Sequence, residues 1–181
     1  SIFAIFRSLV KQGKTIIMVT HDQQLAESAD RQVVLSDGEL LDTLLVRLFP
    51  HLPHPVLLQG THMLSGEFVI PPNAKHAFDY ELPGLLMVKS GSVRLITAEG
   101  QAGFEDRFTL NAGQALAPDD KMSDPVILAG PDGAVIQTIG QANWHEWHVS
   151  HQAGFEKSAA NLQETYAGML FSENSTTERW S

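Results

Sequence analysis

Between Val56 and Ile139 the chain carries seven short apolar runs: EFVI, GLLMVKS, SVRLITA, DRFTL, QALA, PVILAG and GAVIQTI. Glycines at 84, 91, 100, 103, 113, 130 and 133 punctuate them. Runs of this length make strands, and glycine supplies the backbone conformations that tight reversals need. Many short strands at close spacing bury an apolar face by stacking or by closing on themselves, as in a sandwich or a roll. Within LLMVKSGSVRLI, Ser90-Gly91-Ser92 reads as the turn of a tight hairpin. The expected fold class is α+β: a short α/β fragment, then a mainly antiparallel, jelly-roll-like β-roll, then a C-terminal helix.

The fragment occupies residues 1–42. Ile2, Phe3, Ile5, Phe6, Leu9 and Val10 recur at helical spacing, and Gly13 closes that helix. TIIMV (Thr15 to Val19) is apolar on both alternating faces, as in a central strand covered by helices on both sides. Asp22 is placed to cap the helix QQLAESA. QVVLSDGELL reads as a hairpin turning at Ser36-Asp37-Gly38. Helix, strand, helix and hairpin are too little to cover a two-sided strand. The rest of the sheet is expected from elsewhere; otherwise the block folds poorly or self-associates.

Residues 43–55 hold Pro50, Pro53 and Pro55, which disfavour a regular helix and point to an extended linker. His51 and His54 read there as polar loop residues. The roll is expected over 56–143, a helical segment over 144–172, and a polar tail over 173–181. In NWHEWHVSH, His145, His148 and His151 are candidate metal ligands beside Glu146. Their spacing argues against a site: on a helix the third histidine has rotated away from the first, and on a strand His145 and His148 face oppositely. Trp144 and Trp147 packing on the roll is the preferred reading, and no metal is assigned. Phe155, Ala159, Leu162, Tyr166 and Met169/Leu170 recur at helical spacing.

The 181 residues are 43% hydrophobic and 18% charged, which favours a packed core over disorder. A net charge of −9 without a basic run excludes nucleic acid as an expected partner. The absence of cysteine excludes disulfides, thiolate metal sites and cysteine nucleophiles. The most apolar stretch, LLDTLLVRLF, is short for a bilayer and carries Asp42 and Arg47. The chain opens without Met, inside a helical pattern, and reads as a soluble piece of something longer.

The series Val19-Thr20-His21-Asp22, Leu25-Ala26, Ala29-Asp30-Arg31 and Asp37-Gly38 resembles the C-terminal end of an ABC transporter ATPase domain. The THD form with ADR is closer to the lipoprotein-release and macrolide-export branch and to importer ATPases than to fused exporters with AHR. About a quarter of the chain is covered. The resemblance implies that His21 is the switch histidine, contacting the γ-phosphate and helping to position the attacking water. It implies ATP and Mg²⁺ as cofactors of the full-length protein. Its implied partners are the upstream part of the ATPase domain, a second ATPase subunit and membrane permease subunits, with a cytoplasmic location peripheral to the membrane. No G-x-x-x-x-G-K-[ST], no LSGGQ-like signature and no apolar strand ending in Asp-Glu occurs here. In that family these lie upstream of the position of Ser1, so this chain alone is expected to bind no cofactor and to be inactive as an ATPase.

FVIPP, LLMVKSGSVRLI and FTLNAGQAL resemble the β-roll shared in outline by cupins and cyclic-nucleotide-binding domains. The functional positions depart from both families. Cupin ligand positions fall near Ala77, Asp79 and Gly84, with His76 out of place, and the later histidine falls near Met122 or Ser123. Where a cyclic-nucleotide domain needs glutamate and arginine, this chain has Asp119, Asp120, Asp124 and only Lys121. Acidic groups there repel phosphate. The leading expectation is the C-terminal fragment of an ABC transporter ATP-binding protein with an appended regulatory or structural roll. The alternative is a small-ligand sensor or interaction module without catalysis. Metal-dependent cupin catalysis comes third, because its ligands are missing.

Overall fold

The computed structural model describes residues 2–78, 81–97, 108–119, 125–158, 162–165 and 167–173. The chain divides into two compact units, residues 1–33 and 34–181.

In the first unit α1 (Ile2–Lys11) ends at Gly13, whose φ of 81° is the left-handed conformation glycine adopts without strain. α2 (Gln23–Glu27) follows, capped by Asp22. The strand expected over Thr15 to Val19 does not form: residues 14–20 lie in no regular element. A strand requires a neighbour for its N–H and C=O groups, and the described part of this unit contains no other extended segment. Ile17 and Val19 are 90% and 94% exposed, and α1 buries no residue.

The second unit begins with a hairpin of β1 (Leu35–Ser36) and β2 (Glu39–Leu40). Asp37 and Gly38 both have positive φ (51° and 81°), the geometry that matches the strand twist in a two-residue reversal. Next come α3 (Thr43–Leu48) and α4 (His54–Met63), where an extended linker was expected. Pro55 sits in the first turn of α4, where its missing N–H is no loss. Leu44, Leu45, Leu48, Leu57 and Leu58 are buried, so apolar burial outweighs the proline signal in this segment.

The remaining strands are β3 (Phe68–Ile70), β4 (Lys75–Ala77), β5 (Leu85–Thr97), β6 (Phe108–Asn111), β7 (Gln114–Pro118), β8 (Pro125–Ile139), β9 (Leu162–Thr165) and β10 (Gly168–Ser172). They form an eight-stranded antiparallel sheet in the order β3-β8-β5-β7-β10-β9, with β4 also on β8 and β6 also on β5. The expected β-roll within an α+β chain is therefore the observed architecture. Ser90-Gly91-Ser92 is not a hairpin turn. β5 continues through it and pairs with β8 from Leu85↔Ile139 to Thr97↔Pro125, with irregularities on either side of Gly91. Gly91, at φ 71°, bends the strand where β8 approaches closely; a Cβ there would overlap the Gly133 carbonyl oxygen. Below the bend β5 pairs with β7, and above it with β6.

Alternation along β5 separates two cores. Leu86, Val88, Val93 and Leu95 fill the roll interior with Leu110, Leu116, Ile127 and Ile136. Leu85 and Met87 face the other way, against a cluster built from α3, α4, α5 (Gln141–Ser150), α6 (Gln152–Lys157) and Phe171. Phe49 is central there, with ring centroids 4.9 Å from Phe155, 5.0 Å from Phe171 and 5.9 Å from Trp147. Trp144 and Trp147 are both buried in this cluster. The single helix read across Phe155 to Leu170 is replaced by α6 and a hairpin: β10 pairs with β9 and with β7. Ala159 and Tyr166 of that reading, and residues 174–181 of the expected tail, lie outside the described residues.

Candidate functional site

His21 stands at the corner between the irregular segment and α2. Two local interactions build that corner. Thr20 Oγ1 accepts from the Asp22 N–H at 3.0 Å, and Asp22 Oδ1 accepts from Gln24 N–H at 2.9 Å and Leu25 N–H at 3.2 Å. The cap fixes the start of α2 and leaves the His21 side chain exposed, with no hydrogen-bond partner among the described residues. An imidazole free in this way is available as donor or acceptor to a group outside the unit. Phosphoryl transfer also needs a backbone phosphate cradle and Mg²⁺ ligands. Asp22 is committed to its cap, and no group of three or more His, Asp or Glu side chains that could hold a metal converges among the described residues. The residues around His21 do not by themselves fit ATP and Mg²⁺, so no step of hydrolysis is drawn from this chain.

The histidines of the C-terminal segment lie apart in environment. His145 is exposed on α5 and His151 follows its last turn, beside a shallow hollow of about 240 Å³ lined also by Leu52, Pro53 and Gln152. His148 stacks on Trp144, with centroids 5.2 Å apart and planes at 29°, and lies 5.0 Å from Phe155. Burial pushes the His148 pKa below its ordinary value; His145, one turn earlier, acts in the same direction, and Glu156 opposes. His76, on β4, lies 5.8 Å from Phe68 and 5.4 Å from Phe78 in an aromatic strip. Ala77 is exposed, and Gly84 is packed against Trp144. His51 lies in the turn between α3 and α4, and His54 opens α4. Asp79, Asp120, Lys121, Met122, Ser123 and Asp124 lie outside the described residues.

Sequence reasoning missed the part-buried charged pair of Asp42 and Lys89. Asp42 Oδ1 caps α3 by accepting from the Leu45 N–H at 2.9 Å, while its Oδ2 is bonded to Lys89 Nζ of β5. The Asp42 N–H donates to Thr61 Oγ1 at 3.0 Å, and that hydroxyl donates to the Leu57 carbonyl at 2.9 Å. One aspartate thus ties the end of the hairpin to α3, α4 and the sheet. The available signals were Asp42 directly before an apolar helix and a lone lysine inside the apolar run of β5.

No protein-family model matches the chain. It is 55% identical over 40 residues to the uncharacterized ABC transporter ATP-binding protein YvrO of Bacillus subtilis, covering 22% of this chain and 18% of that protein. It is 40% identical over 74 residues to the macrolide export ATP-binding/permease protein MacB of Chlorobaculum tepidum, covering 35% of this chain and 11% of that protein. The chain therefore spans less than a fifth of the length of these relatives. Among solved structures, the sensor domain of the transcriptional regulator DNR from Pseudomonas aeruginosa matches with a TM-score of 0.50 at 16% identity, over 65% of this chain and 82% of that one. That likeness concerns the fold, a mixed α+β chain dominated by an antiparallel roll.

Proposed function

We propose that this chain is the C-terminal part of an ABC transporter ATP-binding protein that carries an appended regulatory or structural β-roll. The carrying observation is the 55% identity over 40 residues to an ATP-binding protein. The unpaired apolar segment at 15–19 supports it, because such a segment needs a sheet that the described residues do not provide. In this reading His21 is the switch histidine, meeting the γ-phosphate of an ATP whose cradle and Mg²⁺ ligands lie in other parts of the full-length protein. Hydrolysis would be coupled to transport through permease subunits and a second ATPase subunit, placing the roll at the cytoplasmic face of the membrane.

The alternative, a non-catalytic sensor or interaction module, draws on the extent of the roll, since residues 34–181 form one compact unit. Cupin-type metal chemistry is not proposed: His76 packs between Phe68 and Phe78 rather than beside other ligands.

Phosphate release from Mg-ATP tests the reading. Residues 1–181 alone should release none above background, while the complete polypeptide should turn over. Steady release by 1–181, abolished by His21→Ala, would overturn the assignment of the remaining machinery to other segments.

A further inference from the structure

The corner between α5 and α6 places an ionisable ring against an aromatic core. His148, near the end of α5, lies between Trp144 of its own helix and Phe155 of α6, with ring centroids 5.2 Å and 5.0 Å away. Phe155 is the residue of α6 that is buried, and its ring stands 4.9 Å from Phe49 and 5.0 Å from Trp147. A helix of six residues has little else to hold it. Gly154 lies flat against Leu52, where a Cβ would overlap the leucine side chain, and Ser158 Oγ donates to the Gly154 carbonyl at 3.2 Å. The hollow of about 240 Å³ opens at this same corner, between residues 150–154 and Leu52-Pro53 of the α3–α4 turn. The corner therefore has unfilled space on one side.

We propose that the α5–α6 corner is a proton-operated hinge: charging His148 parts it from Phe155 and releases α6 from the aromatic core. An imidazolium needs hydration that a ring between two aromatic faces lacks. Trp144, on the same helix, offers its face to a cation, so the charged ring keeps that partner. Phe155 belongs to the other helix, and its departure rehydrates the imidazole. The moving part is therefore α6. Burial lowers the His148 pKa, His145 adds to this, and Glu156 of α6 opposes it. An open corner, with the ring in water, binds the proton more tightly than the closed one, so opening grows as pH falls below about 6.5. The other titratable or charged groups of the surrounding elements are Glu146 on α5, His151 at the corner, Lys157 on α6, and His51 and His54 beside Leu52 and Pro53. His151 is half-buried and the others are exposed. The hinge lies wholly within residues 34–181 and does not rest on the ATPase reading.

Hydrogen exchange of 1–181 at about pH 7 and about pH 5.5, corrected for the intrinsic rate, tests the hinge. The Gly154, Phe155 and Ser158 amides are hydrogen-bonded within the corner. They should lose protection at the lower pH while β5 and β8 keep theirs. His148→Phe, which keeps an aromatic ring and removes the titration, should abolish that loss. Glu156→Gln keeps an amide oxygen for Gln152 and removes the opposing charge. It should enlarge the loss at the lower pH and leave exchange at pH 7 unchanged. Equal α6 protection at the two pH values overturns the hinge, as does a loss of the same size in His148→Phe. Loss of β5 and β8 together with α6 shows global unfolding and overturns it too. Should His148→Phe fail to fold, the parent and Glu156→Gln decide between them: a loss that Glu156→Gln does not enlarge overturns the assignment to His148.

Discussion

Replacing Asp42 by alanine should destabilise the roll unit by about 2–3 kcal/mol. Losing the Oδ1 cap on Leu45 costs about 1 kcal/mol, typical of an N-cap aspartate. Losing the partner of Lys89 strands an ammonium whose side chain is 19% exposed, opposite a carboxylate side chain that is 13% exposed. A fully buried pair broken on one side costs about 3–5 kcal/mol; partial access to water reduces this to about 1–2 kcal/mol. In a domain of this size each kcal/mol moves the melting temperature by about 2–4 °C, so Asp42→Ala should lower it by about 5–10 °C. Asp42→Asn keeps a good cap and should show only the charge component. Urea unfolding of 1–181 reads these changes through Trp144 and Trp147, both buried in the affected core. A double-mutant cycle with Lys89→Met should return a coupling of about 1–2 kcal/mol. An Asp42→Ala protein within about 0.5 kcal/mol of the parent, or a cycle without coupling, would refute the idea that this residue fastens the hairpin to the roll.

Burial beside Trp144 and Phe155, reinforced by His145 and opposed by Glu156, disfavours the charged form of His148, so its folded pKa lies below the unfolded value of about 6.5. Its contribution to stability is full above that value and is lost as pH falls through it toward the folded pKa. His148→Phe, which keeps an aromatic ring and removes the titration, should flatten the fall in melting temperature between about pH 7 and 5; equal slopes for the two proteins would refute this. The roll should not bind cyclic AMP at micromolar concentration. Leu86, Val88, Val93, Leu110, Leu116 and Ile127 fill its interior, and the sequence from Asp119 to Asp124 is acidic. Calorimetric binding in that range would show that the roll opens a site in solution.

Local chemistry was the legible part of this chain. Gly13, the Asp22 cap and the Asp37-Gly38 reversal each depend on one or two residues, and each stands where the sequence put it. The roll was legible as a class, because many short strands leave few alternatives. Features that depend on distant partners were not. Thr15 to Val19 has strand chemistry but no neighbouring strand among the described residues. Pro50, Pro53 and Pro55 spoke against helix, yet the leucines around them had a core to fill. Gly91 reads as a turn unless one knows that both halves of β5 lie on β8. The helical period read from Phe155 to Leu170 depends on residues close in sequence, whereas β10 pairs with β7, far earlier in the chain, as well as with β9. At the candidate site His21 was legible as a motif residue, while the Asp42–Lys89 pair joins positions 47 residues apart and required the fold.

The central claim turns on His21 in the complete polypeptide. ATP turnover, ATP affinity and melting temperature should be measured on the same His21→Ala protein. Turnover is predicted to fall by about 10²–10³, the usual effect of removing one positioned group that acts on transition-state charge. Affinity should stay within a few-fold, because binding rests on the phosphate cradle, and the exposed side chain should leave the melting temperature unchanged. Near-normal turnover, or a melting temperature so reduced that it accounts for the lost activity, would contradict the account.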